Sequence, residues 1–271
     1  MTDRHQLLTS HGSIVVEEAG RGDVPVLLIH GNSLSREVFR KQLGGALAAK
    51  HRLLALDLPG HGDSGDALNP SRTYTRPGLA EAAIEILDLL GLKEVVVAGW
   101  SLGGHIALEM ASQFSGIKGL LISGAPPVSR HNMSEGFIPA PHMRLASQQT
   151  LGPSEIDAFG EATFGAPIPP AFRRAIERAD GLARKTIFEA ARSGAGVDQR
   201  WLVENCPVPL AVVNGAEDPF VNLDYFDVPK YANLWEGRCH RLPGVKHAPF
   251  WEAPDFFDEF LGRFVDDVAA P

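Results

Sequence analysis

The sequence predicts an α/β fold in which helices flank a mostly parallel central sheet and a helical cap is inserted late in the chain. Largely apolar runs of strand length recur along the sequence, at residues 25–29, 53–56, 95–98, 117–123 and 209–213. They are not alternating, which is typical of strands buried on both faces of a parallel sheet. Segments with helical spacing lie between them, for example one with apolar residues at 82, 86, 89 and 90.

The pattern changes between residues 125 and 196, where no strand-like run occurs. Short amphipathic helices are expected there, at about 153–163 and 170–180. We therefore predict an α/β core of residues 1–124 and 197–271, with residues 125–196 as a helical cap. Apolar cap residues could line a pocket or pack the cap onto the core, and the sequence leaves both roles open for Phe137, Ile138, Met143, Phe159 and Phe164.

Composition and charge exclude several classes of protein. Lysine and arginine number 25 against 33 acidic residues, and the net charge of −8 argues against a nucleic-acid partner. No apolar run reaches the roughly 18 residues of a membrane span, and the N-terminus lacks the apolar segment of a signal peptide. We expect a cytoplasmic protein without membrane contact.

Cys206 and Cys239 make no disulfide framework, and no Cys and His spacing resembles a metal site, so no metal or cofactor is expected. The oligomeric state is left open.

A sharp turn after one buried strand carries the first candidate for chemistry. Residues 99–103 read Gly-Trp-Ser-Leu-Gly, and residues 105–111 read as a helix. Strand, tight turn and helix are the context that makes the G-x-S-x-G pattern a nucleophile elbow. Gly99 and Gly103 lack the Cβ atoms that would collide in so tight a turn. We predict that Ser101 is a nucleophile, against the alternative of an ordinary strand-to-helix turn.

Chain order selects the base. In folds built on such an elbow, the acid and then the histidine follow the serine along the chain. His61 precedes the serine in a glycine-rich loop, and His240 falls inside the last predicted strand, at 233–242. His247 lies in the loop after that strand, where a side chain can reach the strand ends. We predict that His247 takes the proton of Ser101.

The acid is expected just after the strand at 209–215. Glu217 and Asp218 both occupy that position. Asp218 is the predicted acid because its side chain is shorter and Pro219 fixes the backbone behind it, and Glu217 is the alternative. Such a carboxylate fixes the tautomer of the imidazole and stabilises the imidazolium.

Two backbone N–H groups are predicted to form an oxyanion hole. One belongs to Leu102, directly after the serine, and the other to Asn32, in the loop after the strand at 25–29. Gly31 lets this loop approach a ligand closely. The side-chain amide of Asn32 has two candidate roles, to hold a substrate carbonyl or to cap the helix that begins near Ser35.

These motifs resemble the α/β-hydrolase family over the whole chain. The resemblance is closest to the metal-independent N-acyl-homoserine lactonases, which open the lactone ring of bacterial quorum-sensing signals. The segments at 28–33, 57–62 and 99–106 are shared by many hydrolases. Asn-Leu-Trp-Glu-Gly at 233–237 and His-Ala-Pro-Phe at 247–250 are more particular to this group.

The resemblance implies the triad selected above, with Asp218 standing where these lactonases carry Glu. It also implies that Asn32 and Trp100 contact the acyl-lactone, although Trp100 could instead only pack the elbow. Phe159 is expected in the same substrate site, where these lactonases carry a polar aromatic residue. A hydroxyl that could bond the substrate is therefore missing, and sites built around a hydrogen bond discriminate strongly.

Three functions are compatible with these residues. The first is a serine hydrolase that opens the ring of N-acyl-homoserine lactones through an acyl-enzyme. The second is a carboxylesterase for small acyl esters, which needs the same residues. The third is a ligand receptor that keeps the triad and turns over slowly. Metal-dependent lactonases need clustered His and Asp ligands, which the sequence lacks. The expected partner is a small acyl lactone or ester.

Overall fold

The computed structural model describes residues 2–139 and 141–270, with residues 141 and 142 described by their backbone alone. Eight strands form one sheet in the described part of the chain. The strands are β1 (Thr2–Thr9), β2 (Gly12–Ala19), β3 (Val26–Ile29), β4 (Leu53–Leu56), β5 (Val95–Trp100), β6 (Ile117–Ser123), β7 (Leu210–Gly215) and β8 (His240–Leu242).

Helices connect and cover these strands. The α-helices are α1 (Arg40–Leu43), α2 (Ala46–Lys50), α3 (Pro70–Thr73), α4 (Arg76–Leu89), α5 (Leu102–Gln113), α6 (Pro153–Phe164), α7 (Pro170–Arg178), α8 (Gly181–Ser193), α9 (Gln199–Asn205), α10 (Pro249–Glu252) and α11 (Pro254–Ala269). Short 3₁₀ turns lie at Arg36–Phe39, Met133–Glu135, Pro141–Ser147, Leu223–Asp227 and Trp235–Gly237. No helix in the described ranges is long and apolar enough to cross a membrane.

The sheet is mostly parallel, and the predicted fold class is confirmed. The strand order is β1-β2-β4-β3-β5-β6-β7-β8. β1 pairs antiparallel with β2, and β2 pairs antiparallel with β4. The five remaining pairs, from β4–β3 to β7–β8, are parallel.

Each central strand is buried on both faces because successive side chains point to opposite sides of the sheet. In β3, Leu27 and Ile29 join one apolar cluster, whereas Val26 and Leu28 join the other. Helices α4 and α5 contribute to the first cluster, and α11 contributes Phe257, Leu261 and Phe264 to the second. Cover on both sides explains why the strand sequences are continuously apolar.

The chain between β6 and β7 is helical and fastened to the rest by polar contacts. The Tyr74 hydroxyl donates to Asp180 Oδ2 at 2.7 Å. Arg184, on α8, donates to the Ser33 hydroxyl at 3.3 Å. The division into a core of residues 1–124 and 197–271 and a cap of residues 125–196 stays a prediction. Met1, Ala140 and Pro271, which that division includes, lie outside the described residues.

The predicted strand at 233–242 is too long. Residues Trp235–Gly237 form a 3₁₀ turn, and only His240–Leu242 are in a strand. Glu236 adopts a φ of 52°, and Gly237 follows at 65°. Neither value is compatible with an extended strand, so β8 begins beyond this turn.

Candidate active site

The candidate site lies at the end of β3, where the strand order in the sheet changes direction. β4, the next strand along the chain, lies on one side of β3, and β5 lies on the other side. Ligands of open α/β sheets bind outside the carboxyl ends of the strands at such a switch point. Ile29, the last residue of β3, pairs with Gly99 in β5. The loop after β3 and the turn after β5 therefore meet at this edge.

Ser101 lies in a strained turn that only its glycine neighbours permit. Its φ is 54° and its ψ is −119°, and it is the residue before the first turn of α5. A Cβ on Gly99 would lie 2.2 Å from the carbonyl oxygen of Gly103. A Cβ on Gly103 would lie 2.0 Å from the carbonyl oxygen of Ile29. The three backbone segments can pack this closely only with glycine at both positions.

The two N–H groups of the predicted oxyanion hole flank this turn. Leu102 is the first residue of α5, so its N–H has no partner within the helix. Asn32 lies in the loop after β3, and Leu102, Asn32 and Ser101 line one cavity. Among the described residues, neither backbone N–H donates to an acceptor. Both donors are thus free to bind an anionic oxygen beside Ser101.

The side chain of Asn32 bonds to the chain between β6 and β7, and its contact with a substrate carbonyl stays a prediction. Its Nδ2 donates to the carbonyl oxygen of Ala146 at 2.7 Å, in the segment between β6 and β7. The helical turn at Arg36–Phe39 begins after Ser35 and has no side-chain cap. The capping prediction is therefore wrong, because Asn32 lies too far before the turn and is bonded elsewhere.

The structure brings His247 and Asp218 together. His247 Nδ1 lies 2.7 Å from Asp218 Oδ2. The other carboxylate oxygen, Oδ1, accepts the N–H groups of Phe220 at 2.8 Å and Val221 at 3.3 Å. Asp218 is buried, whereas Glu217 is exposed. With Oδ1 fixed by the backbone, Oδ2 is oriented to accept a proton from the imidazole.

Groups that the sequence analysis missed hold the His247 loop in place. Glu252, at the end of α10, accepts the N–H of Lys246 and the N–H of Ala248, each at 3.0 Å. The indole Nε1 of Trp100 donates to the carbonyl oxygen of His247 at 2.7 Å. The backbone is therefore held by hydrogen bonds at His247 and at the residues on both sides of it. The only sequence signal for this is a carboxylate at the end of a short helix, which is too common to be specific.

A second missed contact shapes the space around the imidazole. Gly124 has a φ of 60°, and a Cβ there would lie 2.5 Å from Cε1 of His247. Its N–H donates to Asn214 Oδ1 at 2.7 Å. Asn214 is the penultimate residue of β7, so this strand positions Gly124 as well as Asp218, which follows the strand. Glycine at 124 lets the backbone pack directly against the His247 ring.

His30 and His61 also lie near this edge of the sheet, and both support loops. His30 Nδ1 donates to the carbonyl oxygen of Gly31 at 2.7 Å, and its Nε2 accepts the N–H of Leu58 at 3.1 Å. His61 Nδ1 donates to the carbonyl oxygen of Pro59 at 2.9 Å. Burial lowers the pKa of His30 to about 4 and the pKa of His61 to about 3. Both rings are neutral at pH 7, and neither lines the cavity.

A cavity of about 500 Å³ opens above Ser101 and His247. Its walls are mainly apolar, and its size is in the range of small-molecule sites. Trp100 and Phe159 line it, as do Phe137 and Met143 from the segment between β6 and β7. Two other apolar residues of that segment lie outside the wall: Phe164 packs on Trp100 with ring centroids 5.8 Å apart, and Ile138 is exposed. Trp100 lines the cavity and also packs the elbow, and its contact with an acyl-lactone stays a prediction.

Within residues 2–139 and 141–270, no three His, Cys, Asp or Glu side chains come together as a metal site.

Comparison with known proteins identifies the family of this chain. A model described as "Alpha/beta hydrolase family" matches residues 26–260. The chain belongs to the alpha/beta hydrolase family. The structure is also similar to a crystal structure of the N-acyl homoserine lactonase AidH complexed with N-butanoyl homoserine. The identity is 44%, the TM-score is 0.97, and the match covers 99% of this chain and 98% of that one.

Other proteins are similar to this chain at high and at low sequence identity. A mutant of AidH complexed with N-hexanoyl homoserine lactone is 44% identical over 98% of each chain, with a TM-score of 0.96. A 2-hydroxy-6-oxononadienedioate/2-hydroxy-6-oxononatrienedioate hydrolase from Pseudomonas sp is 26% identical over 94% of this chain and 92% of its own. A putative aryl esterase from Burkholderia cenocepacia shares the fold at 22% identity, with a TM-score of 0.80 and full coverage of both chains. This alpha/beta hydrolase is an ester-hydrolysing enzyme.

The close approach at the elbow predicts the effect of a single methyl group. Gly103→Ala puts a Cβ against the Ile29 carbonyl and is expected to cost about 1–3 kcal/mol in the free energy of unfolding. Chemical denaturation measures this difference. Gly65→Ala is the matched control, because the nearest atom to its Cβ would be 3.6 Å away, an ordinary contact. Equal stability of the two variants would contradict the packing argument.

The bonds around His247 predict a role for Glu252 in positioning the imidazole. Glu252→Ala removes both acceptors and should lower kcat about tenfold, because small misplacements of a reacting group are costly. The free energy of unfolding should fall by only about 1 kcal/mol. Steady-state kinetics and thermal unfolding test the two effects. Glu217→Ala, which removes an exposed carboxylate, is the control. An unchanged kcat in the Glu252 variant would show that its bonds do not position His247.

Proposed function

We propose that this enzyme opens the lactone ring of N-acyl-homoserine lactones, with Ser101 as nucleophile, His247 as base and Asp218 as the acid of the triad. The observation that carries the proposal is that Ser101, in its strained turn, and His247 line one cavity, while Asp218 lies 2.7 Å from the His247 imidazole. The similarity to AidH over nearly the whole chain supports the substrate class.

The reaction begins with attack on the ring carbonyl. The Ser101 hydroxyl transfers its proton to Nε2 of His247 as its oxygen bonds to the carbonyl carbon. Asp218 accepts the Nδ1 proton of His247 in a hydrogen bond and stabilises the imidazolium. The developing oxyanion is bound by the N–H groups of Asn32 and Leu102, and each such donor typically lowers the barrier by about 3 kcal/mol.

Collapse of this intermediate opens the ring. The bond between the carbonyl carbon and the ring oxygen breaks, and His247 protonates the departing oxygen. Because that oxygen is part of the same molecule, the new hydroxyl stays attached to the acyl-enzyme. Water then attacks the ester of Ser101 with His247 again as base, and the N-acyl-homoserine leaves.

The substrate contacts follow from the cavity wall. Trp100 and Phe159 offer apolar surface to the acyl chain. The side-chain amide of Asn32 donates a hydrogen bond to the carbonyl oxygen of Ala146. It would have to break this bond in order to donate to a substrate carbonyl. This exchange would couple substrate binding to the segment between β6 and β7.

A carboxylesterase for small acyl esters is the second candidate function. The observation in its favour is Phe159, which lines the cavity and offers no hydroxyl to a lactone or its amide. The same nucleophile, base and oxyanion hole serve a linear ester. The two functions therefore differ in substrate preference and not in chemistry.

Kinetics with two substrates decides between these functions. We expect N-hexanoyl-homoserine lactone to have a higher kcat/KM than p-nitrophenyl butyrate, measured by pH-stat and by absorbance. Ser101→Ala should lower kcat for both by at least about 10³-fold, since triad members act as a unit. Ser134→Ala, which alters the same cavity and removes no member of the proposed triad or oxyanion hole, is the control. Faster ester hydrolysis would favour the carboxylesterase, and lactone turnover by the Ser101 variant would contradict the nucleophile.

A further inference from the structure

His105 is a polar residue in the cavity wall that the proposed mechanism does not use. It lies four residues after Ser101 on α5, which is about one helical turn. Gln199, a buried residue of α9, holds it at two points. The Gln199 Oε1 lies 2.7 Å from His105 Nδ1, and the Gln199 Nε2 donates to the carbonyl oxygen of His105 at 3.0 Å.

These two bonds fix the tautomer of His105. The amide nitrogen of Gln199 is committed to a carbonyl oxygen, so the amide oxygen must face Nδ1. An amide oxygen only accepts, and Nδ1 therefore carries the proton while Nε2 carries a lone pair. Burial, and secondarily the positive charge of Arg76, lower the pKa of His105 to about 4. The ring is neutral at pH 7.

Nε2, which carries the lone pair, is the ring nitrogen of His105 that Gln199 leaves unbound. Within the described part of the chain, this atom has no hydrogen-bond partner, and it is not sealed in the interior as the Nε2 atoms of His61 and His240 are. His105 lines the cavity together with Ser101. A largely apolar wall thus includes, beside the hydroxyl of Ser134, a hydrogen-bond acceptor that cannot also donate, about one helical turn from Ser101.

We propose that His105 Nε2 accepts a hydrogen bond from a hydroxyl group on the substrate acyl chain, so that the cavity selects 3-hydroxyacyl over 3-oxoacyl homoserine lactones. This specificity role rests on the proposed lactonase function. A 3-oxo group would instead direct an oxygen lone pair at the nitrogen lone pair. Leaving a polar group unpaired in an apolar cavity is costly, and discrimination of this kind is strong.

The position of the hydroxyl matches the reach of the site. Six bonds separate the ring carbonyl carbon from the oxygen on C3 of the acyl chain. An extended chain covers about 7 Å over six bonds, and one helical turn is about 5.4 Å. The amide N–H of the substrate is only two bonds from the ring carbonyl, so it lies closer to Ser101 than to this acceptor.

Binding to a Ser101→Ala background tests the proposal without turnover. Isothermal titration calorimetry would compare the 3-hydroxyhexanoyl, 3-oxohexanoyl and hexanoyl homoserine lactones. The 3-hydroxy ligand should bind about tenfold more tightly than the 3-oxo ligand. Adding His105→Phe should abolish this preference while leaving the affinity for the hexanoyl ligand nearly unchanged. Ser134→Ala, in the same cavity, should keep the preference.

A second variant tests the tautomer with the imidazole in place. Gln199→Met removes the acceptor that holds the proton on Nδ1, so the preference for the 3-hydroxy ligand should be lost or reversed. Equal affinity for the 3-hydroxy and 3-oxo ligands in the background protein overturns the proposal. An equal loss of affinity for all three ligands in the His105 variant would also overturn it, because that result would indicate a contact with the shared amide N–H. The absence of binding by all three ligands would overturn it as well.

The same protein separates this proposal from the proposed function. If the wild-type enzyme hydrolyses none of the three lactones, the lactonase function is wrong, and the binding comparison still decides the role of His105. If all three lactones are hydrolysed but bind without preference, the function stands and the selectivity does not.

Discussion

The close packing of three backbone segments at Gly99, Gly103 and Ile29 is the constraint on which the site depends. It forces the turn between β5 and α5 to be so tight that Ser101 adopts a positive φ. That conformation points the serine out of the sheet edge and places the free N–H of Leu102 beside it. A residue with a Cβ at either glycine would separate the segments and move both groups. Strain of this kind persists only where surrounding structure over-determines it, and here the buried sheet supplies that support.

His247, the proposed base, is held in a different way, by a set of hydrogen bonds from distant parts of the chain. Asp218 is fixed by two backbone N–H groups and bonds the imidazole of His247. Glu252 and Trp100 tie down the backbone around the same histidine. Pre-organised groups lower the barrier because little reorganisation is left for the moment of reaction. Closely packed backbone at Ser101 and hydrogen-bonded loops at His247 together account for the geometry of the candidate site.

The fold class and the pairing of Asp218 with His247 could be predicted from the sequence, because strand patterns are local and chain order limits the partners of Ser101. Side-chain length and the following Pro219 favour Asp218 over Glu217. In the structure, Asp218 is hydrogen-bonded to His247, whereas Glu217 is exposed to solvent. The bond from Asn32 to Ala146 could not be predicted, since it joins residues 114 positions apart. The orientation of His105 likewise depends on Gln199, 94 positions away. The turn that shortens β8 depends on a positive φ at Glu236, a residue type that rarely adopts one.

The proposed reaction requires that a lactone acylate Ser101. Mixing enzyme with N-hexanoyl-homoserine lactone, quenching in acid within milliseconds and measuring peptide masses tests this step directly. We expect an adduct on the peptide with Ser101 that carries the whole mass of the lactone, because the opened ring keeps its leaving oxygen. Product formation without such an adduct, or an adduct on another residue, would contradict it.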